Sequence, residues 1–251
     1  MGEHADGLVC LSGGLDSTTL LADLLHQNFR IEAVSFRYGS KHNQYELNAA
    51  VRVASHYKVR WTVVDLTDLF QHIKSDLLMT GGPIPEGSYT DPSMKSTVVP
   101  GRNMIFASIL AGIAASRDCP TIYLGVHAGD HPIYPDCRPL FIGRMQKAIE
   151  VAAFVGEQGV ALLAPYLCWS KRGILQTGLS LQVPYELTRT CYKDQLVACG
   201  VCGSCRERRE AFARCQVPDP LPYTVPDGIS SLPAPTRPES APEGPVDRVQ
   251  P

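Results

Sequence analysis

Gly7-Leu8-Val9-Cys10-Leu11-Ser12-Gly13-Gly14-Leu15-Asp16-Ser17-Thr18-Thr19-Leu20 stands near the start of a 251-residue chain. Residues 7–11 form an unbroken apolar run, which reads as a short strand buried on both faces. Residues 16–27 place Leu20, Leu21, Leu24 and Leu25 on one side of a helix. Between the two lies Ser-Gly-Gly-Leu-Asp-Ser. Its glycines let the backbone turn tightly and approach a ligand without side-chain clash. Backbone N–H groups at the helix start then face an anion. Ser12, Ser17 and Thr18 add hydroxyl donors. Asp16 is itself anionic, so it reads as a magnesium ligand or as a cap that orients the loop. The string is neither the Gly-Lys-Ser phosphate loop nor the G-x-G-x-x-G dinucleotide fingerprint.

Downstream, apolar and amphipathic segments alternate. Strands are expected over residues 31–36, 61–65, 121–125 and 160–163, and helices over 44–56, 102–116, 139–155 and 171–181. Such alternation predicts an α/β fold with a mostly parallel, doubly wound sheet. In these sheets ligands bind beyond the carboxyl ends of the strands. Residues 80–98 are rich in Gly, Pro, Ser and Thr and read as a long functional loop. From residue 216 the character changes: ten of residues 218–251 are proline. That tail is expected to be extended or disordered.

Polar clusters follow the other strands. They are Arg37-Tyr38-Gly39-Ser40-Lys41-His42, Val99-Pro100-Gly101-Arg102-Asn103, Gly125-Val126-His127-Ala128-Gly129-Asp130 and Tyr134-Pro135-Asp136-Cys137-Arg138. Lys171 comes late in the chain. Together they supply cations for an anionic substrate and acids for a base-like one. Arg102 opens a helix, where a cation is mildly unfavourable unless it binds an anion.

Four of the nine cysteines crowd into Cys191-x7-Cys199-x2-Cys202-x2-Cys205. Four thiolates suit tetrahedral Zn²⁺. An iron–sulfur run would need a further cysteine where Arg209 stands. A site closed by four thiolates is expected to be structural. The domain plan is an α/β unit over 1–185, a zinc-binding subdomain over 186–215, and the proline-rich tail over 216–251.

Formal net charge is -2, which supplies no global basic field for nucleic acid. No long unbroken apolar run marks a membrane span, and the N-terminal residues lack signal-peptide character. The chain is expected to be cytoplasmic, without a membrane or nucleic-acid partner.

The loop at 12–17 resembles that of the N-type ATP pyrophosphatases. Those enzymes cleave ATP between its α- and β-phosphates and adenylate a substrate oxygen. Taken with Tyr-Gly-x-Lys-His, Val-Pro-Gly-Arg-Asn, Tyr-Pro-Asp-Cys-Arg and Cys-Gly-x-Cys, the chain resembles the 7-cyano-7-deazaguanine synthase family over residues 7–215. The resemblance implies conversion of 7-carboxy-7-deazaguanine and ammonia to the nitrile, with two rounds of ATP use and an amide between them. It implies ATP with Mg²⁺ as co-substrate, structural zinc on Cys191, Cys199, Cys202 and Cys205, and a homodimer. ATP contacts are implied for Leu11, Ser12, Gly13, Gly14 and Leu15, and for Asp16, Ser17, Thr18, Thr19 and Leu20. Arg102 and Gly125 join them. Catalytic duties are expected of Ser12, Asp16, Lys41, Arg102 and Lys171. Substrate contacts are expected of Tyr38, His42, Asn103, Asp130, Tyr134, Asp136 and Arg138. Asp130 and Asp136 stand as equal candidates to accept the two donors on the deazaguanine edge. Two other readings are an ATP pyrophosphatase acting on a tRNA base or another macromolecule, and a zinc-dependent nucleic-acid-binding module.

Overall fold

The computed structural model describes residues 4–127 and 133–225. The element order is β1 (Gly7–Cys10), α1 (Leu15–His26), β2 (Ile31–Arg37), α2 (Asn43–His56), β3 (Trp61–Asp65), α3 (Thr67–Phe70), α4 (Arg102–Ser116) and β4 (Thr121–Tyr123). It continues with α5 (Pro139–Glu150), β5 (Phe154–Val155), β6 (Gln158–Gly159), β7 (Ala161–Leu163), α6 (Lys171–Ser180) and α7 (Gly203–Arg214).

Five strands form one sheet in the order β3-β2-β1-β4-β7, every neighbour parallel. The chain winds outward from β1 through β2 to β3, then returns to β4 on the other side. The sheet is therefore doubly wound, with its switch point between β1 and β4. Alternation along β1 builds two cores. Leu8 packs with Phe106, Leu110 and Ile142 on the α4–α5 face. Val9 and Leu11 pack with Leu20, Leu21, Ile174 and Phe212 on the face that α1, α6 and α7 cover.

Several elements differ from the sequence expectation, including the short α3 after β3. The helix expected to reach residue 155 stops at Glu150, because Phe154–Val155 pairs antiparallel with Gln158–Gly159 in a small hairpin. Helix α7 was not expected at all. Its buried face carries Arg208, Arg209 and Cys205 beside Ala211 and Phe212, so its apolar periodicity is weak.

By composition, Pro92–Ser116 is long and apolar enough to cross a membrane. Only Arg102–Ser116 within it is α-helix, which spans about 22 Å against the roughly 30 Å of a bilayer core. Its Phe106, Leu110 and Ala114 are buried in the core.

The described start of the proline-rich tail, residues 216–225, is packed. Asp219 accepts from Arg208 Nε and Nη2 at 2.8 and 2.9 Å. The Arg209 guanidinium lies 4.9 Å from the Tyr223 ring centre. Thr224 donates its backbone N–H to Ala198 at 2.9 Å. The packed unit therefore runs past the boundary expected at 215. The tail expected over residues 226–251 lies outside the described residues.

Arg208 is wholly buried, and Asp219 is its ion-pair partner. Removing one partner of a buried pair leaves an uncompensated charge. Asp219→Ala is expected to cost about 3–5 kcal/mol in a denaturant titration. A loss below about 1 kcal/mol would mean that Thr188, Thr190 and the Tyr185 carbonyl, which also accept from Arg208, satisfy it alone.

Candidate active site

A cleft enclosing about 1350 Å³, including solvent at its mouth, opens beyond the carboxyl ends of β1 and β4. The phosphate-type loop forms its floor. Gly13 has φ +77°, and a Cβ there would come 2.5 Å from the Ala50 nitrogen. Only glycine fits. The Ser12 hydroxyl lies 3.0 Å from that of Ser17 and accepts from the Gly14 N–H at 3.3 Å. Gly14 caps α1 without a side-chain acceptor, so N–H groups of its first turn stay available to an anion. Gly125 ends the β4 segment against this turn, its missing Cβ leaving 3.0 Å to Ser17 Cα.

Four ionisable groups meet behind the loop. Asp16 Oδ2 accepts from Lys171 Nζ at 2.6 Å and lies 3.8 Å from His127 Nε2. Lys171 Nζ also lies 3.1 Å from Glu207 on α7. Burial alone would favour the neutral amine. The two carboxylates outweigh it and hold Lys171 above the ordinary lysine range. Asp16 Oδ1 is buried and has no hydrogen-bond partner among the described residues. A buried carboxylate oxygen left open in a cleft is a place for a cation or a polarised donor.

The far wall is aromatic and basic. Arg102 Nη1 lies 3.5 Å from the Tyr38 hydroxyl. The Tyr192 hydroxyl lies 2.8 Å from that of Tyr89 and 3.3 Å from that of Tyr134. Burial pushes Tyr38 up to about 12, so at neutral pH its phenol keeps its proton and can donate. His42 Nε2 sits 3.3 Å from Glu46, and Asn103 and Phe106 complete this end.

Several expected site residues lie elsewhere. Lys41 is absent from the cleft: its ammonium donates to the carbonyls of Asp76, Leu78, Gly81 and Gly82, stapling the start of the long loop. Its short reach to four carbonyl oxygens leaves no free face for phosphate. Asp136 does not line the cleft either. Its carboxylate accepts the Asn103 backbone N–H at 2.9 Å and so caps α4. Arg138 is exposed at the start of α5 and also off the cleft. Gly13, Thr18, Thr19 and Leu20 support the loop from behind, with Thr19 bonded to the Leu15 carbonyl and Leu20 wholly buried. Asp130 lies outside the described residues. Leu11, Ser12, Gly14, Leu15, Asp16, Ser17, Tyr38, His42, Arg102, Asn103, Gly125, Tyr134 and Lys171 do line the cleft.

The four expected cysteines converge. All four sulfurs lie within 4.8 Å of one another, and every one of these residues is buried. A tetrahedral thiolate site with bonds of about 2.3 Å needs sulfurs about 3.8 Å apart, and Cys199 to Cys205 measures 3.9 Å. Backbone N–H groups of Lys193 and Cys199 point at Cys191, and those of Val201 and Cys202 at Cys199. Hydrogen bonds from the other three thiols hold Cys199 well below the ordinary thiol range. This donor set fits a divalent cation. Gly200 makes the turn with φ +79°. Gly203 has another reason for lacking a side chain, since a Cβ would come 2.9 Å from the Tyr89 ring.

The cluster segment also supplies cleft residues that the sequence did not mark: Arg189, Thr190, Tyr192, Ser204 and Glu207. Glu46 and Tyr89 were likewise missed. Their one sequence signal was proximity to a marked motif, as Tyr192 is next to Cys191.

A doubly wound parallel sheet with a glycine-containing strand–helix loop at its switch point is the α/β class whose ligands bind at the carboxyl ends of the strands. The chain belongs to the queuosine biosynthesis protein QueC family, whose profile matches residues 6–216. It is 45% identical over 218 residues to the 7-cyano-7-deazaguanine synthase of Caldicellulosiruptor bescii, covering 87% of this chain and 97% of that one. It is 44% identical over 223 residues to the protein of the same name from Porphyromonas gingivalis, covering 89% and 99%. Among solved structures it superposes on NMN synthetase from Francisella tularensis with a TM-score of 0.44, at 12% identity over 84% of this chain and 85% of that one.

Proposed function

We propose that this chain is an ATP-dependent carbon–nitrogen ligase that converts 7-carboxy-7-deazaguanine and ammonia to 7-cyano-7-deazaguanine. The observation that carries the reading is one cleft with an anion-binding loop and the open Asp16 oxygen at one end, and Arg102 among phenols at the other. Such a cleft holds two anions side by side, as adenylation of a carboxylate requires.

A carboxylate is a poor electrophile because oxide cannot leave. Transfer of AMP to that oxygen, with release of pyrophosphate, creates a phosphate-stabilised leaving group. Ammonia then adds at the carbonyl carbon, AMP departs, and one proton is lost to give the amide. In the second round the amide oxygen takes AMP. Loss of both N–H protons and departure of AMP then leave the nitrile. Two ATP become two AMP and two pyrophosphates.

The chain's own residues serve this by position and charge. Ser12, Gly14 and Ser17 cradle phosphates. Asp16 would hold Mg²⁺, which when bound screens the phosphate charge. Lys171 holds Asp16 in place through its 2.6 Å contact with Oδ2. Arg102 takes the substrate carboxylate, and Tyr38, Tyr134 and Tyr192 line the planar ring. Asp136 is engaged as a helix cap, and Asp130, the other candidate for the deazaguanine edge, lies outside the described residues. The four cysteines hold zinc. The reading includes a cytoplasmic homodimer.

Mass spectrometry after incubation with ATP, ammonia and 7-carboxy-7-deazaguanine tests it. Amide and then nitrile are expected, with AMP in step. Absence of both products would sink the assignment of substrate.

A further inference from the structure

We infer that Glu207 is a positioning residue for the phosphate loop, and that through it the four-thiolate site sets the geometry in which adenylation occurs. The inference rests on the functional reading above. It gives the thiolate cluster a duty beyond fastening the chain end.

The first observation is a surplus of negative charge. Lys171 is buried, and Asp16 at 2.6 Å already supplies its counter-charge. Glu207 at 3.1 Å adds a second carboxylate beside a site built for polyphosphate. As charge alone, that works against the ligand. The geometry explains it. A lysine ammonium sits on a flexible four-carbon stem. Held by one carboxylate, it can swing toward incoming phosphate and take Asp16 with it. Held by two, it is fixed, and Asp16 keeps its Oδ1 open.

The second observation is where Glu207 comes from. It lies on α7, whose N-cap is Cys202 and whose first turn holds Cys205. One helical residue, Arg206, separates Cys205 from Glu207, so the sulfurs that anchor α7 also place this carboxylate.

The third observation is a second strut from the same segment. The Arg189 backbone N–H donates to the Gly13 carbonyl at 2.8 Å. Its guanidinium donates to the carbonyls of Lys193, Gln195 and Leu196, in the chain between Cys191 and Cys199. Both arms of the thiolate cluster therefore end on the phosphate loop, one at Gly13 and one at Asp16.

The test compares wild type with Glu207→Gln and Glu207→Asp, all carrying metal. Glu207→Gln removes the charge at constant size. Its kcat for pyrophosphate release is expected to fall about tenfold or more. Its bound metal, thermal midpoint and affinity for α,β-methylene-ATP stay close to wild type. Hydrogen exchange of the peptide over residues 11–19 is expected to quicken about fivefold, with the 191–205 peptide unchanged. Glu207→Asp regains a substantial part of the lost rate. Wild-type kcat or wild-type loop exchange in Glu207→Gln overturns the inference. So does a loss of metal or melting temperature that accounts for the rate and is not relieved in Glu207→Asp. If wild type makes neither amide nor nitrile, the functional reading fails, and loop exchange alone decides the coupling.

Discussion

Asp16→Ala is expected to cut substrate-dependent pyrophosphate release by on the order of a thousandfold while the protein stays folded. A preorganised charged group at a transferring phosphoryl centre contributes about that much, roughly 4 kcal/mol of barrier. The case for Asp16 is geometric. Its Oδ1 is a buried oxygen with no hydrogen-bond partner among the described residues, in the first turn of α1 and on the cleft wall. Folding survives because Lys171 keeps Glu207 as its counter-ion, so no buried charge is left unpaired. A coupled pyrophosphate assay beside a thermal melt makes the measurement. Normal turnover by the folded variant would remove the loop from the chemistry.

Cys202→Ser has the second large effect. Cys202 is wholly buried, ends the turn from Cys199 and caps α7. A serine oxygen replaces a soft thiolate donor in a four-sulfur site, and bound metal is expected to fall from one equivalent to near zero. Metal binding in such sites is folding free energy. The losses extend to the start of α7 and the packing of residues 217–225 on it. About 4 kcal/mol lost corresponds to a drop in Tm of roughly 10 °C for a chain of this size. Metal analysis with a melt measures both. A metal-free variant with wild-type Tm and full activity would show the cluster to be dispensable.

Much of the site was legible in the sequence because its motifs are local. The loop Ser12–Ser17 needs only a strand before it, a helix after it and glycines between. The four cysteines lie close enough in the chain for backbone turns to gather them. Other residues show where motif reading stops. Lys41 sits in a strand-end motif with Tyr38 and His42, yet turns to the carbonyls of residues 76–82. Asp136 has the chemistry to read a base edge, but the free N–H of Asn103 at the start of α4 claims it. Helix α7 went unread because Arg208 and Arg209 interrupt the apolar residues on its buried side, and periodicity detects apolar faces only.

The sequence by itself determined the parallel doubly wound sheet, the glycine loop between β1 and α1 and the four-cysteine cluster, since strand–helix alternation and short cysteine spacing are short-range properties. Tertiary structure alone decided which charged side chains reach the loop. Lys171 meets Asp16 across 155 positions of chain, and Glu207 and Arg189 arrive from the cysteine segment. A charged side chain goes where its counter-charge and hydrogen-bond partners are. For these residues the partners are brought near only when α1, α6 and α7 pack on one face of the sheet.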